Sequence, residues 1–233
     1  MAPKPSPVTL DALAQVPLRL LAPLSASNAA SATGTTAEAP AGEVPSGADA
    51  ATAALTPAVA APSVMSQTLW ATQPALVFVV RRPGCRLCRE EAVKLASNRD
   101  TIEGQLGLNM VAVVHEELGV EEFQRDFWKG PVYLDEQKRV FTALSGGKIK
   151  KAPLWNLCMP SVFRSLRRAG KAGVQGNMKG EGRIMGGLFV IKQGDQGIAF
   201  QYKEKIFGDH APMEQVLGAC QDASAASPAQ PEV

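Results

Sequence analysis

Histidine and cysteine are scarce in this chain, two and four residues respectively among 233. Four cysteines do not make the dense framework of a disulfide-stapled secreted domain, and they fit a reducing compartment better. A closed zinc site needs four ligands, usually with a second close cysteine pair. Here Cys158, Cys220, His115 and His210 stand singly, so no metal site is expected. Neither histidine has a partner within sequence reach, which leaves no basis for a catalytic triad. No apolar run approaches the length needed to span a membrane, so no transmembrane segment is expected. The opening Met1-Ala2-Pro3-Lys4-Pro5 leads into no secretory core. The first 66 residues hold Lys4 and Arg19 against Asp11, Glu38, Glu43 and Asp49, two minus four or −2, whereas transit peptides avoid acids. A cytoplasmic location is the expectation, with a plastid location as the alternative.

The chain contains one long stretch that cannot fold alone. From 25 to 62, 15 of 38 residues are Ala, most others are Ser, Thr, Gly or Pro, and none is aromatic. Such a segment buries too little apolar surface to offset its ordering entropy, so it reads as disordered. It separates an N-terminal segment, 1–24, from a folded domain at 63–222, and a polar tail follows at 223–233. Within the first segment, Val16-Pro17-Leu18-Arg19-Leu20-Leu21 alternates enough for an edge strand, where proline is tolerated.

In the domain, Ala75-Leu76-Val77-Phe78-Val79-Val80 is six consecutive apolar residues, the pattern of a strand buried on both faces. Leu108-Asn109-Met110-Val111-Ala112-Val113-Val114 is a second such strand. The residues between them favour helix as far as Asn98, with a bent continuation to Leu106, so strand, helix and strand make a parallel βαβ unit. A helix at 121–128, a short strand at 132–134 and a short helix at 138–144 follow. The segments 186–191 and 197–202 flank Gln193-Gly194-Asp195-Gln196 and read as a hairpin. A last helix carries Val216, Leu217 and Cys220, with Asp209 as its cap. Cys220 and Cys158 both read as core thiols.

Between the first buried strand and its helix lies Arg81-Arg82-Pro83-Gly84-Cys85-Arg86-Leu87-Cys88-Arg89-Glu90-Glu91. A cysteine at a helix N-terminus faces unpaired backbone N–H groups and the positive end of the helix dipole, which stabilise a thiolate. Glu90 and Glu91 are expected in the first helical turn. Arg82, Arg86 and Arg89 add positive charge, and Cys88, one turn on, can reach back to form a disulfide. The chemistry that fits is thiol–disulfide redox, weighed against a chance structural pair and against a zinc half-site lacking its second half.

Residues 148–183 break the pattern. They hold nine Lys and Arg against Glu181 alone, nine minus one or +8. Leu154, Trp155, Leu157, Val162, Phe163 and Leu166 suggest one amphipathic basic helix that Pro160 limits or kinks. Its plain reading is a helix with its apolar face on the domain and its charges in water. The functional readings are a rim attracting anionic substrates, or a membrane-surface contact. Nucleic acid is not an expected partner, because no stacking aromatics interleave with the charges.

Leu69-Trp70 followed by Val79-Val80-Arg81-Arg82-Pro83-Gly84-Cys85-Arg86-Leu87-Cys88-Arg89-Glu90-Glu91-Ala92 resembles the signature of the peroxiredoxin-like 2 family. Tyr133-Leu134-Asp135, Gly176-Asn177-Met178-Lys179-Gly180-Glu181-Gly182, Gly186-Gly187-Leu188-Phe189-Val190 and Phe207-Gly208-Asp209 extend the resemblance from Met65 to Cys220. It implies an α/β, thioredoxin-like fold: a mixed central sheet flanked by helices, with antioxidant or redox-regulatory activity. One branch of the family, prostamide/prostaglandin F synthase, reduces an endoperoxide with electrons from thioredoxin and NADPH. Typical peroxiredoxins carry an arginine just before the Gly-Leu-Phe strand, where this chain has Gly186, and thioredoxins carry a cis-proline there, which is absent.

The expectation is therefore an oxidoreductase that reduces a peroxide or endoperoxide through a dithiol/disulfide cycle at Cys85 and Cys88. Thioredoxin logic makes Cys85 the attacking sulfur, whereas peroxiredoxin alignment puts it at Cys88; Cys85 as attacker and Cys88 as resolver is adopted. Arg82 and Arg86 are expected to stabilise the thiolate. No bound cofactor is expected, with electrons coming from a thioredoxin-type reductant and NADPH. The alternative is a non-catalytic, redox-sensing binding module that uses its basic helix on a partner or a membrane surface.

Overall fold

A computed structural model of the chain describes residues 8–21 and 63–227. The segment read as disordered, 25–62, and most of the expected tail lie outside those residues. Seven strands form one sheet: β1 (Pro17–Leu21), β2 (Ser63–Met65), β3 (Ala75–Val79), β4 (Asn109–Val114), β5 (Val132–Leu134), β6 (Gly187–Ile191) and β7 (Ile198–Lys203). Their order is β2-β1-β5-β4-β3-β6-β7. The β3–β4 and β4–β5 pairs are parallel, and all other pairs are antiparallel, so the sheet is mixed.

The continuous apolar runs occupy the centre, as burial on both faces requires. Val77 pairs with Val111 on one side and with Phe189 on the other. Successive side chains then alternate between two cores. Leu76, Phe78, Met110, Ala112 and Val114 meet α2 (Arg86–Ala96), the turn around Phe123 and Trp128, and α6 (Met213–Ala225) on one face. Ala75, Val77, Val79, Val111 and Val113 meet α1 (Leu10–Ala14), the 3-10 turn Ser66–Leu69 and α4 (Arg139–Leu144) on the other. This is the expected α/β, thioredoxin-like arrangement, and the βαβ unit and the β6–β7 hairpin fall where the residues placed them.

Several local expectations change. β1 is not an edge, because β2 pairs outside it, with Pro17 opposite Met65. Proline is accommodated there as the first residue of the strand. The bent continuation of α2 is a π-helical turn, Asp100–Gln105, and α3 (Val120–Glu122) runs into another, Phe123–Trp128. The expected single basic helix is two pieces: a 3-10 turn, Leu154–Cys158, and α5 (Pro160–Lys171). Pro160 starts α5, where its missing N–H has no intrahelical partner to lose. Asp209 does not cap α6. It accepts hydrogen bonds from Tyr202 Oη at 2.7 Å and Lys205 N at 3.0 Å, while Pro212 precedes the helix. α6 extends to Ala225 and buries Ala223, past the point where the polar tail was expected to start.

Candidate active site

Both cysteines are placed by the turn between β3 and α2. Cys85 is the N-cap of α2, with extended backbone (φ −75°, ψ 125°), and its N–H donates to Arg82 O at 3.1 Å. Its carbonyl accepts the first helical bond, from Arg89 N at 2.9 Å. Because α2 begins at Arg86, Glu90 and Glu91 fall in its second turn rather than its first. Both sulfurs are free thiols and nearly covered, with Cys85 6% and Cys88 2% exposed.

A loop from 175 to 182 lies directly on this turn. Asn177 N donates to Gly84 O at 2.7 Å. A Cβ on Gly84 would overlap the Asn177 side chain, and one on Gly176 would sit 2.6 Å from Arg86 N. Glycine at both positions permits the close approach. Arg89, 1% exposed, ties the pieces together by donating to Pro83 O at 2.8 Å, to Gln175 O at 3.1 Å and to both Glu122 carboxylate oxygens.

The arginine at the sulfur is Arg81. Its Nη2 lies 2.7 Å from Cys85 Sγ, its Nη1 donates to Gly182 O at 2.7 Å, and its guanidinium stacks 4.5 Å over the Phe207 ring. Arg82 and Arg86, expected to stabilise the thiolate, line the same cavity, but neither donates a hydrogen bond to the sulfur. Arg82 donates to the carbonyls of Asn177 at 2.6 Å and Lys179 at 3.0 Å, so it holds the covering loop. Arg86 points along α5, where a Cβ on Gly170 would lie 3.4 Å from its Nη1. The physical reason is the direction of the strand. Arg81 follows β3 towards the start of α2, while Arg82, just as buried, turns to the carbonyls of the covering loop and Arg86 lies towards α5.

Behind Arg81 is a buried charged cluster that sequence reasoning missed. Glu204 Oε2 lies 3.7 Å from Arg81 Nε and accepts Gly186 N at 3.1 Å. His210 Nε2 is 3.9 Å from Glu204 Oε1, and its Nδ1 is 3.0 Å from Glu91 Oε2, an ion-pair distance without hydrogen-bond alignment. His115 Nε2 lies 2.9 Å from the Arg81 carbonyl, fixing the same residue from the end of β4. The signal for this cluster was two histidines and a glutamate with no local partner, which only the fold brings to Arg81. Gly186 explains its own position: a Cβ there would overlap the Val79 carbonyl oxygen and lie 3.0 Å from Arg81 N. An arginine at 186 is sterically excluded, and the guanidinium at the sulfur belongs to Arg81, two residues past β3.

The two thiols divide their roles electrostatically. The Cys88 S–H donates to Cys85 and, with the Arg81 charge, holds the Cys85 thiol well below the ordinary range, against the opposing effect of burial. Cys88 is pushed well above that range, because it shares its proton with Cys85 and is buried. Burial raises Glu204, with Arg81 and His210 pulling the other way. Cys220 is buried and pushed up to about 12, an unreactive core thiol, whereas Cys158, also expected in the core, is exposed.

A cavity of about 480 Å³ opens onto Cys85. Arg81, Cys85 and Leu87 line it together with Val162 and Leu166 of α5, Phe207, and Met178 and Arg183 of the loop. The site therefore presents an acidic thiol, a second thiol within reach and a fixed cation at the floor of a largely apolar cavity. Among the described residues, no group of three or more His, Cys, Asp or Glu is arranged to hold a metal ion. No helix among them is long and apolar enough to cross a membrane.

Comparison with known proteins gives three results. The profile of the family described as AhpC/TSA antioxidant enzyme matches residues 94–205, a stretch that begins after both cysteines of the site. Peroxiredoxin-like 2A of Xenopus tropicalis is 43% identical over 159 residues, 67% of each chain. Peroxiredoxin-like 2A of Homo sapiens is 39% identical over 156 residues, 66% of each chain. Among solved structures, peroxidoxin BcpB from Mycobacterium tuberculosis superposes with a TM-score of 0.46 at 13% identity, over 70% of this chain and 87% of the other.

Proposed function

Because the chain belongs to the peroxiredoxin-like 2 family, we propose that it is a thiol-dependent oxidoreductase that reduces a peroxide or endoperoxide through Cys85 and Cys88. The family supports an antioxidant-type redox role. The observation that carries the finer reading is the Cys85 sulfur, which receives a hydrogen bond from Arg81 at the floor of the cavity, with Cys88 one turn further along α2. A thiolate is the nucleophile in such chemistry, and the Arg81 charge favours the thiolate.

The Cys85 thiolate attacks one oxygen of the substrate's O–O bond. That bond breaks, an S–O bond forms, and the other oxygen leaves as an alkoxide that takes a proton. With a hydroperoxide the protein product is a sulfenic acid. With an endoperoxide the sulfur stays joined to the substrate through oxygen until the second thiol acts. Cys88 then attacks Cys85 sulfur, its own proton leaves with the departing oxygen, and a Cys85–Cys88 disulfide forms. Two electrons have passed from sulfur to oxygen. A thioredoxin-type dithiol, kept reduced by NADPH, reduces the disulfide and closes the cycle. Arg81 favours the attacking thiolate and faces the negative charge that develops on the leaving oxygen. The cycle uses no prosthetic group, and we assign it to the cytoplasm, where such donors keep thiols reduced.

The test follows NADPH oxidation with thioredoxin, thioredoxin reductase and the protein, adding hydrogen peroxide, a lipid hydroperoxide or an endoperoxide. Sustained turnover that Cys85→Ser abolishes is expected. Consumption of only one equivalent of every oxidant refutes turnover and leaves a redox sensor.

A further inference from the structure

α5 packs on the domain through Val162 and Ala169, as the plain reading of the basic helix requires, yet it leaves Phe163 69% exposed. Trp155, on the 3-10 turn leading into it, is also 69% exposed, and Met178, on the facing loop, is 77% exposed. Isolated exposed apolar residues are ordinary on a soluble protein. Two of the three belong to segments that wall the cavity above Cys85: Val162 and Leu166 flank Phe163 on α5, and Met178 itself lines the opening, while Trp155 sits on the turn that leads into α5. The same segments carry Arg164, Arg167, Lys171, Lys179 and Arg183, none of which has a carboxylate within 4.0 Å among the described residues. Lys151 and Arg168 have theirs, in Glu181 and Glu90.

Apolar tips set among unpaired cations are the pattern of a surface that seats in the headgroup region of a bilayer, aromatic and aliphatic groups inserted and cations on anionic lipid. We propose that this face, made of the Leu154–Cys158 turn, α5 and the 175–183 loop, docks on an anionic lipid bilayer. Charge decides the occupant. A second copy meeting this face about a two-fold axis would set cations against cations. Aliphatic walls continuous with the exposed tips suit acyl chains better than stacked bases. Docked in this way, the cavity opens towards the lipid, and an oxidised acyl chain reaches Cys85 without crossing water.

Sedimentation of the full chain with lipid vesicles tests the proposal and needs no turnover, so its outcome is independent of the redox assignment. Phosphatidylcholine vesicles are compared with and without about a third phosphatidylserine, at low and high salt. Binding to the anionic vesicles, weakened by salt, is expected. Trp70 and Trp128 are buried, so a blue shift of tryptophan emission on binding reports Trp155, and Trp155→Phe removes the shift. Each surface cation contributes about fivefold to partitioning, so Arg164→Glu with Arg167→Glu lowers it at least about tenfold, while reduction of soluble hydrogen peroxide is unchanged. No vesicle binding, equal binding to neutral and anionic vesicles, or a lipid-free dimer that already buries Trp155 would each overturn the proposal.

Discussion

Replacing Arg81 with methionine keeps a stem over Phe207 but removes the guanidinium from Cys85. The Nη2 to sulfur distance is 2.7 Å and the side chain is 5% exposed, so little solvent screens the interaction. A hydrogen bond to a charged group contributes about 1.5–3 kcal/mol, which converts to roughly a ten- to hundredfold shift of the Cys85 equilibrium towards the protonated thiol. Peptide-resolved alkylation of Cys85 against pH measures that equilibrium directly, with Cys88 left in place as donor. Arg82→Met is the control, because Arg82 reaches carbonyls rather than sulfur. The Arg81 variant also strands Glu204. Breaking a buried ion pair costs about 3–5 kcal/mol where the orphaned charge must persist. Glu204, already raised by burial, escapes part of that cost by binding a proton, so the variant should lose more stability at pH 8 than at pH 5. An Arg82→Met shift in Cys85 reactivity as large as that of Arg81→Met would refute the assignment of the cation.

Glu204→Gln keeps an acceptor for Gly186 N and removes the buried carboxylate. A raised carboxyl contributes stability that is full below its unfolded pKa and is lost as pH rises through the folded value. Thermal unfolding of the variant should therefore show a smaller decline than wild type as pH rises above 4.5. Glu90 and Glu122 are depressed by Arg168 and Arg89, Glu90 against its burial, so their contribution is lost on the acid side of that window instead. Gly186→Ala forces a methyl onto the Val79 carbonyl and should cost about 1–3 kcal/mol, seen as a lowered Tm. Arg89→Met leaves Pro83 O and Gln175 O without their donor while Glu122, 45% exposed, turns to water. A loss of about 1–3 kcal/mol and faster amide exchange in the loop over Cys85 are expected, measured by denaturant titration and hydrogen exchange.

The parts of this protein that were legible in its sequence are those dictated locally. Two continuous apolar runs announced β3 and β4, and the Gly-Asp turn announced the β6–β7 hairpin. Cys85 was recognisable at a helix start because strand, turn and helix residues succeed one another within a few positions. What the sequence hid depends on contacts between distant segments. β1 appeared to be an edge because β2, three residues long, joins it only across the 25–62 segment. Four arginines near the cysteines are equivalent along the chain, and only the strand direction and the loop at 175–182 turn Arg81 to the sulfur and Arg82 to the loop carbonyls. Glu204 and His210 reach the site through β7 and the turn before α6, so their role has no local signature. The basic segment was read correctly as amphipathic, but not as two pieces, because proline at 160 fits a helix start as well as a kink. Its exposed aromatics emerged only when α5 was seen to bury Val162 and Ala169 and turn Phe163 away.

The division of labour between the two sulfurs is tested most directly by trapping. The Cys88→Ser variant is treated with one equivalent of hydrogen peroxide and a sulfenic-acid reagent, and its peptides are weighed. The account predicts the adduct on Cys85, whereas wild type under the same treatment yields a Cys85–Cys88 disulfide with no adduct. An adduct that forms on Cys88 in Cys85→Ser as fast as wild type oxidises would contradict it, and would make Cys88 the attacking sulfur.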